Sequence, residues 1–445
     1  MPIAFLLAGV LVAAGWSYGA VDTSARHAIE MAALATLGVA LAIRAAGADG
    51  LGRGAWNWKW GAPFLGLFVL AGLQALNPSH AVVPLTGELA ARPHYPLLPA
   101  TVSRSATLET MARLLAFAAV FWAARYGLPS RRHQRLMLTA TVAGGFAMAM
   151  LVVIQRVTPQ SFPVFPLTGR FVNENNYAEY ANLLLPVALG LGRRCTLSAE
   201  RCGLPGSPAP LYYLMAAGLF LSVWLTDSRA GMFLAVVLAA AFAVSEGWGR
   251  RREFLGGHRL RVWLAGAAMA LSVLVAAWML RPTVLSAPSG DSLAPQIGFR
   301  SGLLRGTLAM ARERWAFGIG AGAFGDAFPY FQPAAVQGTV RYAHNDWAQF
   351  LAETGAVGFL LLGGMIVGMA GGGRRSRRGA ARQAAGNGDG GCGPVARGLV
   401  LGLMGVAAHA LLDFPLQIPA ILLMVAAWLG LYGNRRTAVA VEAPE

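Results

Sequence analysis

What this chain has least of is charge. Asp, Glu, Lys and Arg make up only 13% of its 445 residues, where a soluble domain carries about a quarter. With 56% hydrophobic residues and a mean hydropathy of +0.53, an ordinary soluble fold is excluded. Cysteine is nearly as scarce. Cys195, Cys202 and Cys392 offer neither the framework of a disulfide-stapled domain nor the paired Cys-x-x-Cys pattern of a zinc site. The apolar runs lack the alternation of barrel strands, which excludes a membrane barrel. Met1-Pro2-Ile3 carries no Lys or Arg, so the first apolar run lacks the basic leader of a cleaved signal and reads as an ordinary span. No internal repeat is visible, which disfavours inverted-repeat transporter folds.

What the chain does have is apolar runs long enough to cross about 30 Å of hydrocarbon, recurring along its length. The expected fold is all-α integral membrane, with about twelve spans. They run roughly Ile3–Tyr18, His27–Arg44, Ala62–Asn77, Leu108–Tyr126, Leu136–Gln155, Tyr177–Gly192, Tyr212–Thr226, Ala230–Glu246, Val262–Leu280, Asn345–Ala370, Gly398–Leu412 and Ile418–Tyr432. Two connections on one side are long, 78–107 and 281–343. The first is Pro-rich and reads as an irregular ordered loop. The second holds an expected amphipathic helix, Arg300 to Trp315, with apolar Leu303, Leu304, Leu308 and Met310, suited to lying on the membrane surface or capping a cavity.

Positive charge sorts by side. Arg44, Arg53 and Lys59 lie in one alternate connection, and Arg125, Arg131, Arg132 and Arg135 in the next. Arg193, Arg194 and Arg201 follow, then 250–261, 374–397 and finally Arg435 and Arg436. Together they hold 23 of the 36 basic residues. The positive-inside rule makes these segments cytoplasmic and both termini cytoplasmic. The net charge of +16 is then a topology signal that needs no nucleic acid.

Against that rule, several ionisable groups fall on the opposite side. Arg170 and Asn173-Glu174-Asn175-Asn176 precede the sixth span, and Asp227-Ser228-Arg229 turn between the seventh and eighth. Arg300 opens the amphipathic segment, His344 precedes the tenth span, and Asp413 lies in the last turn. Each has a plain structural role open to it: Arg229 snorkelling to headgroups, Asn173–Asn176 capping a helix, His344 and Asp413 capping or turning. Jointly, guanidiniums and a helix N-terminus facing one cavity make a phosphate or diphosphate site. A His with a reference pKa near 6.5 can take a proton from a hydroxyl. The run Gly318-Ile319-Gly320-Ala321-Gly322-Ala323-Phe324-Gly325 has no strand before it and falls on the non-cytoplasmic side, which argues against a dinucleotide site. It is expected to give flexibility or close backbone approach to a ligand. Gly371–Gly393 reads as a disordered linker.

The spacing His344-Asn345, nine residues, Gly355, two residues, Gly358 resembles the His-Asn/Ser-x9-Gly-x-x-Gly signature of the O-antigen ligase family. Arg300 with Leu304 is similar to that family's Arg-x-x-x-Leu element, with Gly318-Ile319-Gly320 after it. Thr226-Asp227-Ser228-Arg229-Ala230-Gly231 resembles its Ser-Arg-Gly turn. Gly169-Arg170-Phe171-Val172-Asn173-Glu174-Asn175 and His409-Ala410-Leu411-Leu412-Asp413-Phe414 resemble two further elements. The family order is kept from about residue 165 to 420.

The resemblance implies a metal-independent, cofactor-free glycosyltransferase of the bacterial inner membrane with its site facing the periplasm. The donor would be a glycan on undecaprenyl diphosphate and the acceptor a hydroxyl of a glycolipid such as lipid A-core, or of a glycan. Membrane lipids are the remaining partner. Carried over, Arg229 and Arg300 would hold the diphosphate and His344 would activate or orient the acceptor. Arg170, Asn173, Asn175, Arg305, Arg341, Asn345 and Asp413 are further candidate substrate contacts. The division implied is 1–160 as N-terminal spans, 161–433 as the ligase-like core and 434–445 as a cytoplasmic tail. A Wzy-type O-antigen or exopolysaccharide polymerase is the rival within the enzymes. A flippase or exporter, with Glu30 or Glu179 lining an alternating cavity, is the rival outside them.

Overall fold

The computed structural model describes residues 1–46, 58–83, 86–161, 168–203, 206–250, 293–383 and 393–432. They are mostly helical, with almost no sheet. In chain order the helices are α1 (Pro2–Trp16), α2 (Thr23–Ala45), α3 (Trp58–Leu76), α4 (Arg104–Tyr126), α5 (Arg131–Val157), α6 (Glu174–Cys202), α7 (Ala209–Trp224) and α8 (Arg229–Arg250). They continue as α9 (Leu293–Glu313), the single turn α10 (Phe324–Ala327), α11 (Asp346–Gln383), α12 (Pro394–His409) and α13 (Pro419–Tyr432). Among the described residues six helices are long and apolar enough to cross a membrane: α2, α3, α4, α5, α8 and α11. Four more, α1, α7, α12 and α13, are apolar but shorter. Each expected span within these residues falls on a helix; Val262–Leu280 lies outside them.

Local chemistry sets the ends. Asp22 caps α2 by accepting from the Ser24 and Ala25 amides, and Ser130 caps α5 through the His133 amide. Asn173 caps α6 through the Asn175 amide at 2.8 Å, and α6 stops at Gly203 with φ 61°, the left-handed C-terminal residue glycine tolerates. These bonds satisfy amides that a helix end leaves open.

Helix α6 is the post of the bundle. Tyr177, Tyr180, Leu183, Leu184 and Val187 are fully buried, and α7, α8 and α12 pack on it. A smaller second core gathers Val102, Leu303, Met310, Ile319, Phe324, Phe328, Val340 and Ala352. It joins α9 and the segment after it to the start of α11.

Three expectations change. The amphipathic helix begins earlier, at Leu293, and its buried stripe is Leu303, Thr307 and Met310, whereas Leu304 and Leu308 stay 37% exposed. The spacing i, i+4, i+7 selects one face, and the i+1 leucines fall outside it. The loop after α3 includes a two-stranded antiparallel hairpin, His80–Val82 with Leu89–Ala91. The linker expected from Gly371 is still helix through Gln383. Its Arg and Ala residues are strong helix formers and outweigh the glycines.

The glycine-rich segment also has another role. Helix α11 is broken at Gly355, with φ 65° and ψ −170°. The carbonyls freed there, Ala352 and Glu353, accept from the Ile319 amide at 3.0 Å and the Gly320 amide at 3.1 Å. The freed amides of Ala356 and Val357 donate to the Trp315 and Ala316 carbonyls at 2.8 and 3.1 Å. Gln74 of α3 adds its Nε2 to the Phe317 and Glu353 carbonyls and accepts from the Ala321 amide. A Cβ at Gly318 would stand 2.3 Å from Glu353 backbone, and one at Gly355 would stand 2.4 Å from Ala316 backbone. The close approach that these glycines permit is to the chain itself. A break inside an apolar span survives only where protein satisfies its backbone, and 315–321 does so.

Candidate active site

His344 lies two residues before α11, with φ 50°, a conformation rare outside glycine and found where surroundings over-determine the backbone. The surroundings are on hand. Asn345 accepts from the Ala348 amide at 2.9 Å and donates to the Leu411 carbonyl at 3.0 Å. Asp346 donates its amide to the Ala410 carbonyl, and its carboxylate accepts from the Leu416 amide and the Gln417 side chain. The turn 410–417 is thus stitched to the start of α11. The geometry leaves the His344 ring in a fixed setting. Its Nδ1 is 3.0 Å from Asp413 Oδ1, and it meets the Phe414 ring edge-on at 4.8 Å and 84°. Tyr342 stacks on the same Phe414 ring at 4.5 Å.

Asp413 is buried, its side chain 4% exposed, whereas that of His344 is 31% exposed. Burial alone would raise the Asp413 pKa. The hydrogen bond from His344, and then the charges of His344, His409 and Arg300, outweigh burial and hold the group below its ordinary value. An ionised Asp413 can only accept, so Nδ1 is the donor, and in the neutral ring Nε2 is the open base. Arg300 completes the group. Its Nη1 donates to the Leu412 carbonyl at 2.9 Å, which sets a guanidinium beside the imidazole–carboxylate pair.

Of the sequence candidates, the structure therefore gathers His344, Arg300, Asn345 and Asp413 around one turn. Two change character. Asp413 orients His344, and Asn345 is a cap and a tether. A second group surrounds the start of α8. Ser228 Oγ donates to Asn175 Oδ1 at 2.6 Å and accepts from the Gly231 amide, while Asn182 donates to the Gly231 carbonyl. Asn173 and Asn175 are thereby a helix cap and a tie to the turn, the plain structural reading of those asparagines. Arg229, the first residue of α8, makes no hydrogen bond or ion pair with Arg300, His344 or Asp413 among the described residues. Arg170 lies over the Tyr18 ring at 4.3 Å and donates to the Trp16 carbonyl, so it braces the α1–α2 connection. Arg305 is exposed and its Nε reaches only its own helix, at the Ser301 carbonyl. Arg341 is exposed.

One pair escaped the sequence reading. Glu179 Oε2 and His409 Nδ1 share a hydrogen bond inside the bundle, their side chains 1% and 2% exposed. The Asp413 amide donates to the His409 carbonyl at 3.0 Å, so this buried pair lies directly behind the first. The signal was a carboxylate in the apolar run of α6, facing no obvious partner in sequence.

The architecture defines a helical membrane protein with a cation–imidazole–carboxylate cluster at one end of the bundle. Compared with known families, residues 214–363 match the family model described as O-antigen ligase. It is the family that the sequence motifs resemble, and the match covers 150 of the 445 residues. The matched stretch includes Arg229, Arg300, His344, Gly355 and Gly358. No curated protein matches the chain.

Proposed function

We propose that the chain transfers a glycan from undecaprenyl diphosphate to an acceptor hydroxyl, as an O-antigen ligase-type enzyme working at the periplasmic face of the inner membrane. The observation that carries this reading is the juxtaposition of Arg300, His344 and Asp413. In the proposed step the acceptor oxygen attacks the anomeric carbon, and its proton goes to His344 Nε2. The bond from that carbon to the diphosphate oxygen breaks, the electron pair leaving with the diphosphate. Asp413 holds the imidazole in the receiving tautomer and stabilises it once charged, the role the carboxylate has in other imidazole–carboxylate sites. Arg300, together with Arg229, would offset the charge developing on the leaving group, as preorganised cations do. Arg305 and Arg341, both exposed, are available to the sugar or the outer phosphate.

A flippase would need Glu30 or Glu179 on a water-filled cavity. Both are buried, at 6% and 1%, and Glu179 is engaged by His409, which supports the transferase. Ligase and polymerase share this chemistry and differ in acceptor. Loss of a ligase leaves polymer on the carrier, and loss of a polymerase leaves single repeats.

The test is transfer by purified protein from a lipid-linked glycan. His344→Ala is expected to lower turnover roughly 10²–10⁴-fold, the usual range for losing a general base. Arg300→Ala is expected to lower it roughly 10²–10³-fold, the range for one stabiliser of developing charge. Unchanged turnover in either variant overturns the assignment.

A further inference from the structure

Helix α5 carries positive charge at its wrong end. The first turn of a helix is the positive pole of its macrodipole and favours anions, yet here it holds Arg131, Arg132 and His133, with Arg135 one turn on. The amine of Met1 is there too, 2.9 Å from His133 Nε2. Arg194 of α6 lies within electrostatic reach of both Arg131 and Arg135, and Arg131 faces Arg135. Arg131 and Arg194 are half-buried, and Arg131 Nε is shut away from solvent with no hydrogen-bond partner.

The nearby carboxylates are committed elsewhere. Glu246 is bonded by Arg193 and Arg397, and Glu200 lies 3.9 Å from Arg193. Among the described residues, no carboxylate pairs with Arg131, Arg135 or Arg194. Like charges, two of them half-buried, are costly without a counter-charge, so the cluster is suited to an anion. Its place in the bundle narrows the choice. Helix α5 has 27 residues, about 40 Å at 1.5 Å per residue, and its far end meets the Asp227–Ser228 turn through Arg156. The cluster therefore lies about one membrane thickness from the Asp227–Ser228 turn, at the opposite end of the span.

We propose that Arg131, Arg135 and Arg194 bind the phosphate of an anionic lipid headgroup in the leaflet opposite His344. Basic pockets between spans are the setting in which such headgroups bind, and guanidiniums engage phosphate oxygens in bidentate pairs. The site is independent of glycan transfer and is tested without it.

The experiment is thermal unfolding in nanodiscs of phosphatidylcholine alone, of phosphatidylcholine with phosphatidylglycerol, and of phosphatidylcholine with inorganic phosphate. Phosphatidylglycerol is expected to raise the Tm by several degrees, and inorganic phosphate to leave it unmoved. The triple variant Arg131→Gln, Arg135→Gln, Arg194→Gln should lose most of that rise, and Arg132→Gln should keep it. If the triple variant does not fold, the exposed single variant Arg135→Gln is read in its place and should show a smaller rise than the parent. An equal rise in parent and variant overturns the proposal. So does an equal rise with inorganic phosphate, which would make the site one for a soluble anion.

Discussion

At the scale of single residues, the imidazole of His344 is held by three independent devices: a carboxylate on Nδ1, an aromatic edge contact and a left-handed backbone. Each can be removed alone. Asp413→Asn keeps the shape but frees the tautomer, and is expected to cost turnover roughly 10²–10⁴-fold with donor binding retained, read as a fall in kcat at nearly constant KM. Its effect on stability has a definite pH sign. The Asp413 pKa lies below its ordinary value of 3.8 once folded, so ionisation contributes stability that is full above about pH 4 and lost as pH falls through the folded value. The stability gap between parent and Asp413→Asn should close as pH falls through the folded Asp413 value, as urea melts in nanodiscs would show. His344, Arg300 and Asp413 were legible as candidates because each is ionisable on the side opposite the basic connections, where the charge rule least expects it. Their roles were not legible. That Asp413 orients His344, and that Glu179 meets His409 behind it, are contacts 69 and 230 residues apart along the chain, and no local pattern announces them. Asn173, Asn175 and Asn345 illustrate the reverse: side chains able to bind sugar are taken up by amides and neighbouring turns.

At the scale of elements, the signature glycines divide by the neighbour each one spares. Gly318 and Gly355 face backbone, which cannot yield, and both have positive φ. Ala at either should cost about 1–3 kcal/mol from backbone strain alone, with steric overlap added. Gly358 has no positive φ, although a Cβ there would stand 2.3 Å from the Thr354 Cβ, so Gly358→Ala adds overlap without backbone strain and should cost the least of the three. Chemical unfolding of the three variants tests that order, and equal losses would refute this account of the motif. Helix existence and spacing were readable from apolar periodicity. The break in α11 was not, because nothing in a run of apolar residues says that a distant loop will cover its carbonyls.

At the scale of the whole molecule, orientation follows from charge. The exposed Leu97, in the loop after the hairpin, belongs to the side expected to face the periplasm, and Cys202, at the end of α6, to the cytoplasmic side. In a chain with Leu97→Cys, a membrane-impermeant maleimide should label position 97 in intact spheroplasts and Cys202 only after permeabilisation. Labelling in the reverse pattern would invert the topology. The bonding across Gly355 also bears on motion. The segment 315–320, which follows the helix bearing Arg300, shares four backbone hydrogen bonds with the helix after His344, so neither can shift without unseating the other. Amide exchange should report them as one unit. Ile319 and Gly320, though in a loop, should exchange in step with Ala356 and Val357 of the helix. In the proposed transfer, a substrate would meet a guanidinium and an imidazole held by the fold before binding, and accommodation of different glycans would fall to the hairpin and the exposed flank of α9.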